Sequence, residues 1–181
     1  MPDIVGQEAL EIAVKRASEL TETEQAQLDA MGRVCFEGDP YASEFEWSQS
    51  EWSIVGRLDG QVVSHVGLIQ RGIMVGGISQ RVGGVGGVMT LPEYRRRGLA
   101  AALMGQAESI LRDDFKVEFG VLVCSPEMVA YYRRCGWEYV GDGLDCQSFG
   151  KDAHIPGPVM ILRLSSRAWP GGTIDLCGTP W

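Results

Sequence analysis

Apolar and polar residues alternate along this chain with two different periods, which predict strands and helices in succession. Residues 10–15 (LEIAVK) alternate with the period of two that is typical of a half-buried strand. Residues 21–36 open with Thr21 and Glu24 at the spacing of a capping box and continue with apolar residues at helical intervals. The first part of the chain therefore predicts a strand followed by a helix.

The middle of the chain predicts β-structure built around tight turns. Residues 51–71 form two apolar runs joined at Asp59 and Gly60, a pair that supplies the positive φ angles of a two-residue hairpin. Residues 71–91 continue as two further β-type runs that are rich in glycine but too apolar to be a flexible linker.

The second half predicts one long helix and several short elements. These are an amphipathic helix over 98–115, an apolar strand over 117–125, a short helix over 126–137, a strand over 159–164 and an irregular tail after residue 164. Runs of strands broken by single helices predict an α/β or α+β fold with a mixed sheet. Because no linker interrupts the elements, we expect a single domain over residues 1–181.

Composition and charge narrow the classes of function. The chain has 181 residues and a formal net charge of -8, which argues against nucleic acid or anionic membrane as a partner and favours a small cationic one. Five scattered cysteines and two histidines predict no metal site. The first residues lack the features of a secretory leader, and no apolar segment reaches roughly 20 residues, so we expect a cytoplasmic protein.

Against this acidic background, positive charge is concentrated at one predicted strand-to-helix corner. The corner consists of Arg95, Arg96, Arg97, Gly98, Leu99 and Ala100. Unpaired N–H groups and the helix dipole make a helix start suitable for phosphate, small residues leave those groups accessible, and arginines neutralise the anion. Taken alone, a solvated basic helix start explains the cluster as well.

Two motifs at matching spacing resemble the GNAT superfamily of acyl-CoA-dependent N-acyltransferases. Residues 95–100 fit the family pattern R/Q-x-x-G-x-G/A, and residues 132–137 (YRRCGW) fit its ending Y-x-x-x-G-F/W. The resemblance implies a GNAT-like mixed, mainly antiparallel central sheet flanked by helices. It also implies acetyl-CoA (coenzyme A) as cofactor, and it leaves a homodimer as an option, since family members often form dimers.

The same resemblance implies roles for individual residues. The diphosphate of coenzyme A would lie at the corner of residues 95–100, and its pantetheine arm would pair with the backbone of Val88, Met89 and Thr90 like an added strand. Tyr132 would be the acid beside the coenzyme sulfur, with Tyr131 as a weaker candidate.

Within the superfamily, the chain is most similar to aminoglycoside 2'-N-acetyltransferases. Residues 63–71, residues 81–99 and the cysteine-containing tail ending in Trp181 carry this likeness, which implies a cationic aminoglycoside as the acyl acceptor. That family has a glutamate on the central strand where this chain has Gly86. The base therefore stays open between a loop acid such as Asp39 or Glu44, the terminal carboxylate at Trp181, His65 and solvent.

An acidic and aromatic segment between Arg33 and Arg57 offers acceptor contacts. It contains no basic residue but holds Glu37, Asp39, Glu44, Glu46 and Glu51 among Phe36, Tyr41, Phe45, Trp47 and Trp52. Such a segment could bind a polycation by charge and ring stacking, and a solvated acidic loop with core aromatics explains it equally well. The candidate acceptor-binding residues are Asp39, Glu44, Glu46, Gly86 and Trp181.

Three functions follow from these observations. The first is an aminoglycoside N-acetyltransferase. The second is a GNAT enzyme that acts on another amine, such as a polyamine, a small metabolite or a peptide N-terminus. The third is a non-catalytic acyl-CoA-binding module, which the missing strand glutamate motivates.

Overall fold

Eight strands form one mixed sheet in a computed structural model that describes residues 9–181. The strands are β1 (Glu11–Arg16), β2 (Trp52–Leu58), β3 (Gln61–Val75), β4 (Ile78–Thr90), β5 (Phe119–Val123), β6 (Glu138–Ser148), β7 (Lys151–Arg163) and β8 (Ile174–Asp175). The sheet order is β1-β2-β3-β4-β5-β7-β6-β8, and only β4–β5 and β6–β8 are parallel pairs. The expected mixed, mainly antiparallel sheet is thus confirmed.

Four α-helices accompany the sheet: α1 (Glu22–Cys35), α2 (Pro40–Glu44), α3 (Leu99–Ser109) and α4 (Val129–Arg134). Thr21 and Glu24 form the predicted capping box of α1, and α3 continues into one π-helical turn up to Asp114. No helix among residues 9–181 is long and apolar enough to cross a membrane. Residues 1–8, on which the expected lack of a leader partly depends, lie outside the described residues.

Left-handed turn residues set the strand register in the first half of the sheet. Asp59 (φ 48°) and Gly60 (φ 78°) connect β2 to β3 as predicted, and Gly76 (φ 56°) and Gly77 (φ 81°) connect β3 to β4. Both turns use positive φ angles, which match the right-handed twist of paired strands. The four β-type runs predicted over residues 51–91 therefore become three strands, of which β3 is long and continuous.

The last third of the chain contains more strand than predicted. The run expected over 159–164 is only the end of β7, β6 was missed, and the tail that was predicted to be irregular contains β8. β6 bends at register shifts beside Gly141 and Gly143 and is partly exposed, so its hydrophobic alternation is broken. β8 has two residues and is fixed by pairing with β3 and β6 rather than by local sequence.

Both faces of the sheet are covered by apolar clusters. Leu103 and Ala107 of α3 and Leu111 of the following π-helical turn pack against one face together with Leu122 of β5. Phe119 and its neighbours face the opposite cluster, because successive residues of a strand point to opposite sides. This double cover fixes β5 between two cores, next to the place where it separates from β4.

Candidate active site

The central parallel strands β4 and β5 run side by side over a very short distance. Their register contains two pairs, Gly83 with Gly120 and Gly84 with Val121. Beyond Gly84 the strands separate, so the β5-facing edge of residues 85–90 is available to an extended ligand. The predicted cofactor residues Val88, Met89 and Thr90 lie on this part of β4.

A β-bulge interrupts β4 where the separation begins. His65 of β3 is opposite Met89, and Gly67 is opposite Gly86, so the single residue between them on β3 faces both Gly87 and Val88. Gly87 adopts φ +55°, which glycine tolerates without strain. The carbonyl oxygen of Gly87 lies 2.8 Å from Nδ1 of His65, which is a contact that the sequence did not indicate.

The arginine corner follows β4 and leads into α3 as predicted. Gly98 is the N-cap of α3 in a left-handed conformation (φ +79°), and no side chain caps the helix. The first amides of α3 are therefore not blocked by the protein's own side chains, which fits an anionic group. Leu99 is buried and anchors the helix start to the core, while Ala100 is half-buried.

The three arginines of the corner are exposed and differ in their local contacts. Arg95 donates from Nε to the carbonyl oxygen of Thr90 at 3.1 Å, which ties the corner to the end of β4. The Arg97 guanidinium lies 5.4 Å from the ring centre of Tyr94. Arg96 has φ +63°, a backbone geometry that turns the chain tightly before Gly98.

Tyr132 lies on α4 beside the end of β5. Its side chain is buried against the apolar cluster of α3, and its ring centre is 6.3 Å from that of Trp137. Burial, with a smaller contribution from the Cys124 thiol, raises the pKa of the Tyr132 phenol above its ordinary value. The phenol therefore stays protonated around neutral pH, as a proton donor must.

Trp181 occupies the opening between β4 and β5. Its indole Nε1 donates to the carbonyl oxygen of Val121 at 3.2 Å. A Cβ atom on Gly84 would overlap the indole, and a Cβ on Gly86 would overlap the Trp181 main chain, with its oxygen at 2.8 Å. The two glycines therefore leave the space that Trp181 fills.

Hydrogen bonds hold the tail in this place. Ser48 donates from its backbone N–H to the carbonyl oxygen of Pro180 at 2.6 Å, and its hydroxyl lies 2.6 Å from that of Thr179. Arg71 donates to the Thr179 carbonyl and, at 2.9 Å, to the Ser48 hydroxyl, and its guanidinium lies 5.3 Å from the Trp181 ring centre. Nothing local in the sequence marked Ser48 and Arg71, because their role depends on contacts with a distant segment.

A comparison with known protein families identifies the family of this chain. A sequence model of the family described as "Acetyltransferase (GNAT) domain" matches residues 16–140, which is more than half of the chain. The chain belongs to the GNAT acetyltransferase family. The family expected from the two motifs is thus confirmed, and the enzymatic class of N-acetyltransferase follows from it.

Solved GNAT structures share this fold at low sequence identity. The YhbS acetyltransferase from Escherichia coli, solved in complex with CoA, has 22% identity and a TM-score of 0.64 over 95% of this chain and 93% of its own. A GNAT acetyltransferase from Brucella melitensis, solved with acetyl-CoA, has 18% identity and a TM-score of 0.60 over 91% of this chain and 94% of its own.

A third relative is a larger protein. A GCN5-related N-acetyltransferase from Kribbella flavida has 19% identity and a TM-score of 0.57 over 75% of this chain, but this chain spans only 34% of that one. At these identities the likeness shows the fold alone.

The acidic segment of this GNAT protein divides into residues with separate contacts. Asp39 caps α2 by accepting from the N–H of Tyr41 at 2.9 Å. Glu46 binds the β6–β7 turn, because its carboxylate accepts from the N–H of Phe149 at 2.9 Å. Glu44 lines a cavity instead. Of the three predicted acidic acceptor residues, Glu44 is thus the one that faces a cavity.

The aromatic residues of the segment also pack in two separate groups. Tyr41, Phe45 and Trp47 form a chain of rings with centre-to-centre distances of 5.9 and 6.3 Å. Trp52 instead packs on Phe115 at 5.9 Å, next to the α3 core. The aromatic side chains of the segment therefore contribute to two different packing regions.

Two cavities lie against the β6–β7 hairpin. The larger, of about 450 Å³, is lined by Glu44, Phe45, Ser148, Phe149, Lys151, Asp152, Ala153 and His154. The smaller, of about 240 Å³, includes Asp142 and Asp145 in its wall and shares His154 with the first. Neither cavity is lined by Tyr132 or by β4, so both are separate from the gap between β4 and β5.

Replacing Gly98 by Val should raise the Kd for coenzyme A at least tenfold, because a β-branched residue is strained at φ +79° and adds bulk beside the helix amides. Arg96→Ala should raise that Kd only about fivefold, since one exposed charge contributes about 1 kcal/mol. Calorimetry measures both Kd values. Gly150→Val is the matched control, because Gly150 has φ +73° and open space in the β6–β7 turn; equal losses for Gly98→Val and Arg96→Ala would contradict the backbone account.

Replacing Gly86 by Glu, the residue of the aminoglycoside family, should lower the free energy of unfolding by about 1–3 kcal/mol, because the new side chain displaces Trp181. Gly72→Glu on β3 introduces the same side chain at a site with open space and should be nearly neutral. Thermal unfolding and acetylation rates of both variants provide the test. A Gly86→Glu protein as stable as Gly72→Glu and faster than the parent would show that Trp181 does not occupy this position.

Proposed function

We propose that this GNAT enzyme transfers an acetyl group from acetyl-CoA to a primary amine of a cationic aminoglycoside, at a 2'-amino group. The observation that supports the acetyl transfer best is the separated edge of β4, which runs from the bulge at Gly87 to the uncapped start of α3. Tyr132 lies on α4, close to Cys124, which directly follows β5.

The residues along the opening fit acetyl-CoA, which supplies an activated acetyl thioester when bound. The amides at Gly98, Leu99 and Ala100, with Arg95–Arg97 around them, would hold its diphosphate. The β5-facing edge of Val88, Met89 and Thr90 would pair with its pantetheine arm.

Two groups of the chain have chemical roles in this proposal. The N–H of Val88, directly after the bulge, donates a hydrogen bond to the oxygen that gains negative charge during acyl transfer. The Tyr132 phenol holds a proton next to the place where a thiolate leaves, and donates it there. Both groups need only be held in position, which the buried surroundings of α4 and the bulge provide.

The proposed acceptor is cationic because the chain as a whole is acidic. The chain carries a net charge of -8, and Glu44 and Asp152 outnumber Lys151 around the larger cavity. Such a field concentrates a polycation near the site. Of the side chains considered as base, Asp39 is used as a helix cap and His65 is buried between two hydrogen-bond partners. Glu44, the terminal carboxylate at Trp181 and solvent are left to receive the amine proton.

A substrate panel tests the acceptor class. Thiol release is measured with aminoglycosides that carry a 2'-amino group, with counterparts that carry a 2'-hydroxyl, with polyamines and with short peptides. The proposal predicts release with the 2'-amino compounds and at least tenfold less with the 2'-hydroxyl ones. Turnover of polyamines or peptides alone would instead support a GNAT enzyme that acts on another amine. No turnover of any amine would contradict the proposed acetyl transfer.

Tyr132→Phe should lower kcat roughly 100-fold, in the range expected for loss of a general acid, and change the Kd for coenzyme A less than threefold. The ring packing against Trp137 is retained, so folding should be unaffected. Tyr131→Phe is the matched control, because it removes a neighbouring phenol whose ring centre is 5.1 Å from that of Tyr132. A large loss of kcat in Tyr131→Phe with normal kcat in Tyr132→Phe would reverse the assignment.

A further inference from the structure

The β4 bulge contains a glycine, Gly87, whose backbone has no strong preference for the φ angle that it adopts. Gly87 lies at φ +55° and is exposed, and neither it nor Val88 has a register partner on β3. Glycine populates positive and negative φ about equally, so its own backbone preference does not select this shape. Another contact must hold the bulge.

His65 supplies that contact from the adjacent strand. Its side chain is buried, with 6% exposed, and its two ring nitrogens have separate partners: Nδ1 lies 2.8 Å from the Gly87 carbonyl oxygen, and Nε2 lies 3.1 Å from the Ser53 hydroxyl. A carbonyl oxygen only accepts, so Nδ1 carries the hydrogen. Burial lowers the pKa of His65, which keeps the ring neutral and leaves Nε2 to accept from Ser53.

The direction of the Gly87 carbonyl fixes the direction of the next amide. The carbonyl of Gly87 and the N–H of Val88 belong to one planar trans peptide unit and point to opposite sides. With the Gly87 oxygen held on His65, the Val88 N–H points away from His65. Rotation at Gly87 would turn both groups together.

We propose that His65 is a positioning residue for acetyl transfer: its Nδ1–H holds the Gly87 carbonyl and thereby aims the Val88 N–H at the acyl oxygen. This inference rests on the proposed function of Val88. His65 is therefore not the base that takes the proton of the amine, because both of its ring nitrogens are hydrogen-bonded within the sheet and the ring is shielded from solvent. Its effect therefore belongs to the chemical step rather than to the binding of either substrate.

Two amide replacements test which ring nitrogen matters. In His65→Asn the side-chain nitrogen is as many bonds from Cα as Nδ1, so it can donate to Gly87. In His65→Gln the nitrogen reaches further, towards the position of Nε2. His65→Leu has neither group. We expect the kcat of His65→Asn to lie within about threefold of the parent, and the kcat of His65→Gln and His65→Leu to fall 10- to 100-fold. In all three variants the Kd for coenzyme A and the KM for the amine should change less than threefold.

A readout in the free protein is independent of turnover. Hydrogen–deuterium exchange of peptides that cover residues 85–91 should be faster in His65→Gln and His65→Leu than in His65→Asn or the parent. The exchange rates of peptides from β6 and β7 should remain unchanged. The exchange measurement reports on the bulge even if no amine is acetylated, so failure of the proposed function and failure of this inference are distinguishable. Equal behaviour of folded Asn and Gln variants in kcat and in exchange would overturn the role of His65.

Discussion

The proposed site depends on an edge of β4 whose pairing with β5 ends after Gly84. β4 is in the middle of the sheet, where polar backbone groups are normally paired by neighbours, yet its parallel pairing with β5 ends after two residues. The Trp181 indole donates to the carbonyl oxygen of Val121 at the last register pair. The bulge at Gly87 lies beyond this pair on β4.

The two sides of the gap are built from distant parts of the chain. The proposed cofactor side follows directly from local sequence, since β4, the arginine corner and α3 are consecutive. The other side combines the tail, the segment around Ser48 and the β6–β7 hairpin, which are joined by Arg71 and by the pairing of β8 with β3 and β6. Gly84 and Gly86 contact the tail although they belong to β4, so substitutions there affect both sides.

Local patterns predicted the parts whose geometry is local. The capping box at Thr21, the turn at Asp59 and Gly60 and the amphipathic α3 each need only a few neighbouring residues, and each was found where expected. Strand β6 was missed because Gly141 and Gly143 break its alternation, and β8 was missed because its pairing partners are distant in sequence. The contacts of His65 and Arg71 could not be predicted either, since each joins groups at least 12 residues apart. The motifs predicted the GNAT family correctly, because each motif lies within a few consecutive residues.

A crystal structure of the protein in complex with coenzyme A is the most direct measurement of the central claim. We predict the diphosphate at the amides of residues 98–100 and the pantetheine arm hydrogen-bonded to the backbone of Val88–Thr90, with Tyr132 next to the sulfur and Trp181 still between β4 and β5. Coenzyme A bound away from the β4 edge, or a continuous β4–β5 ladder in place of the gap, would contradict the account.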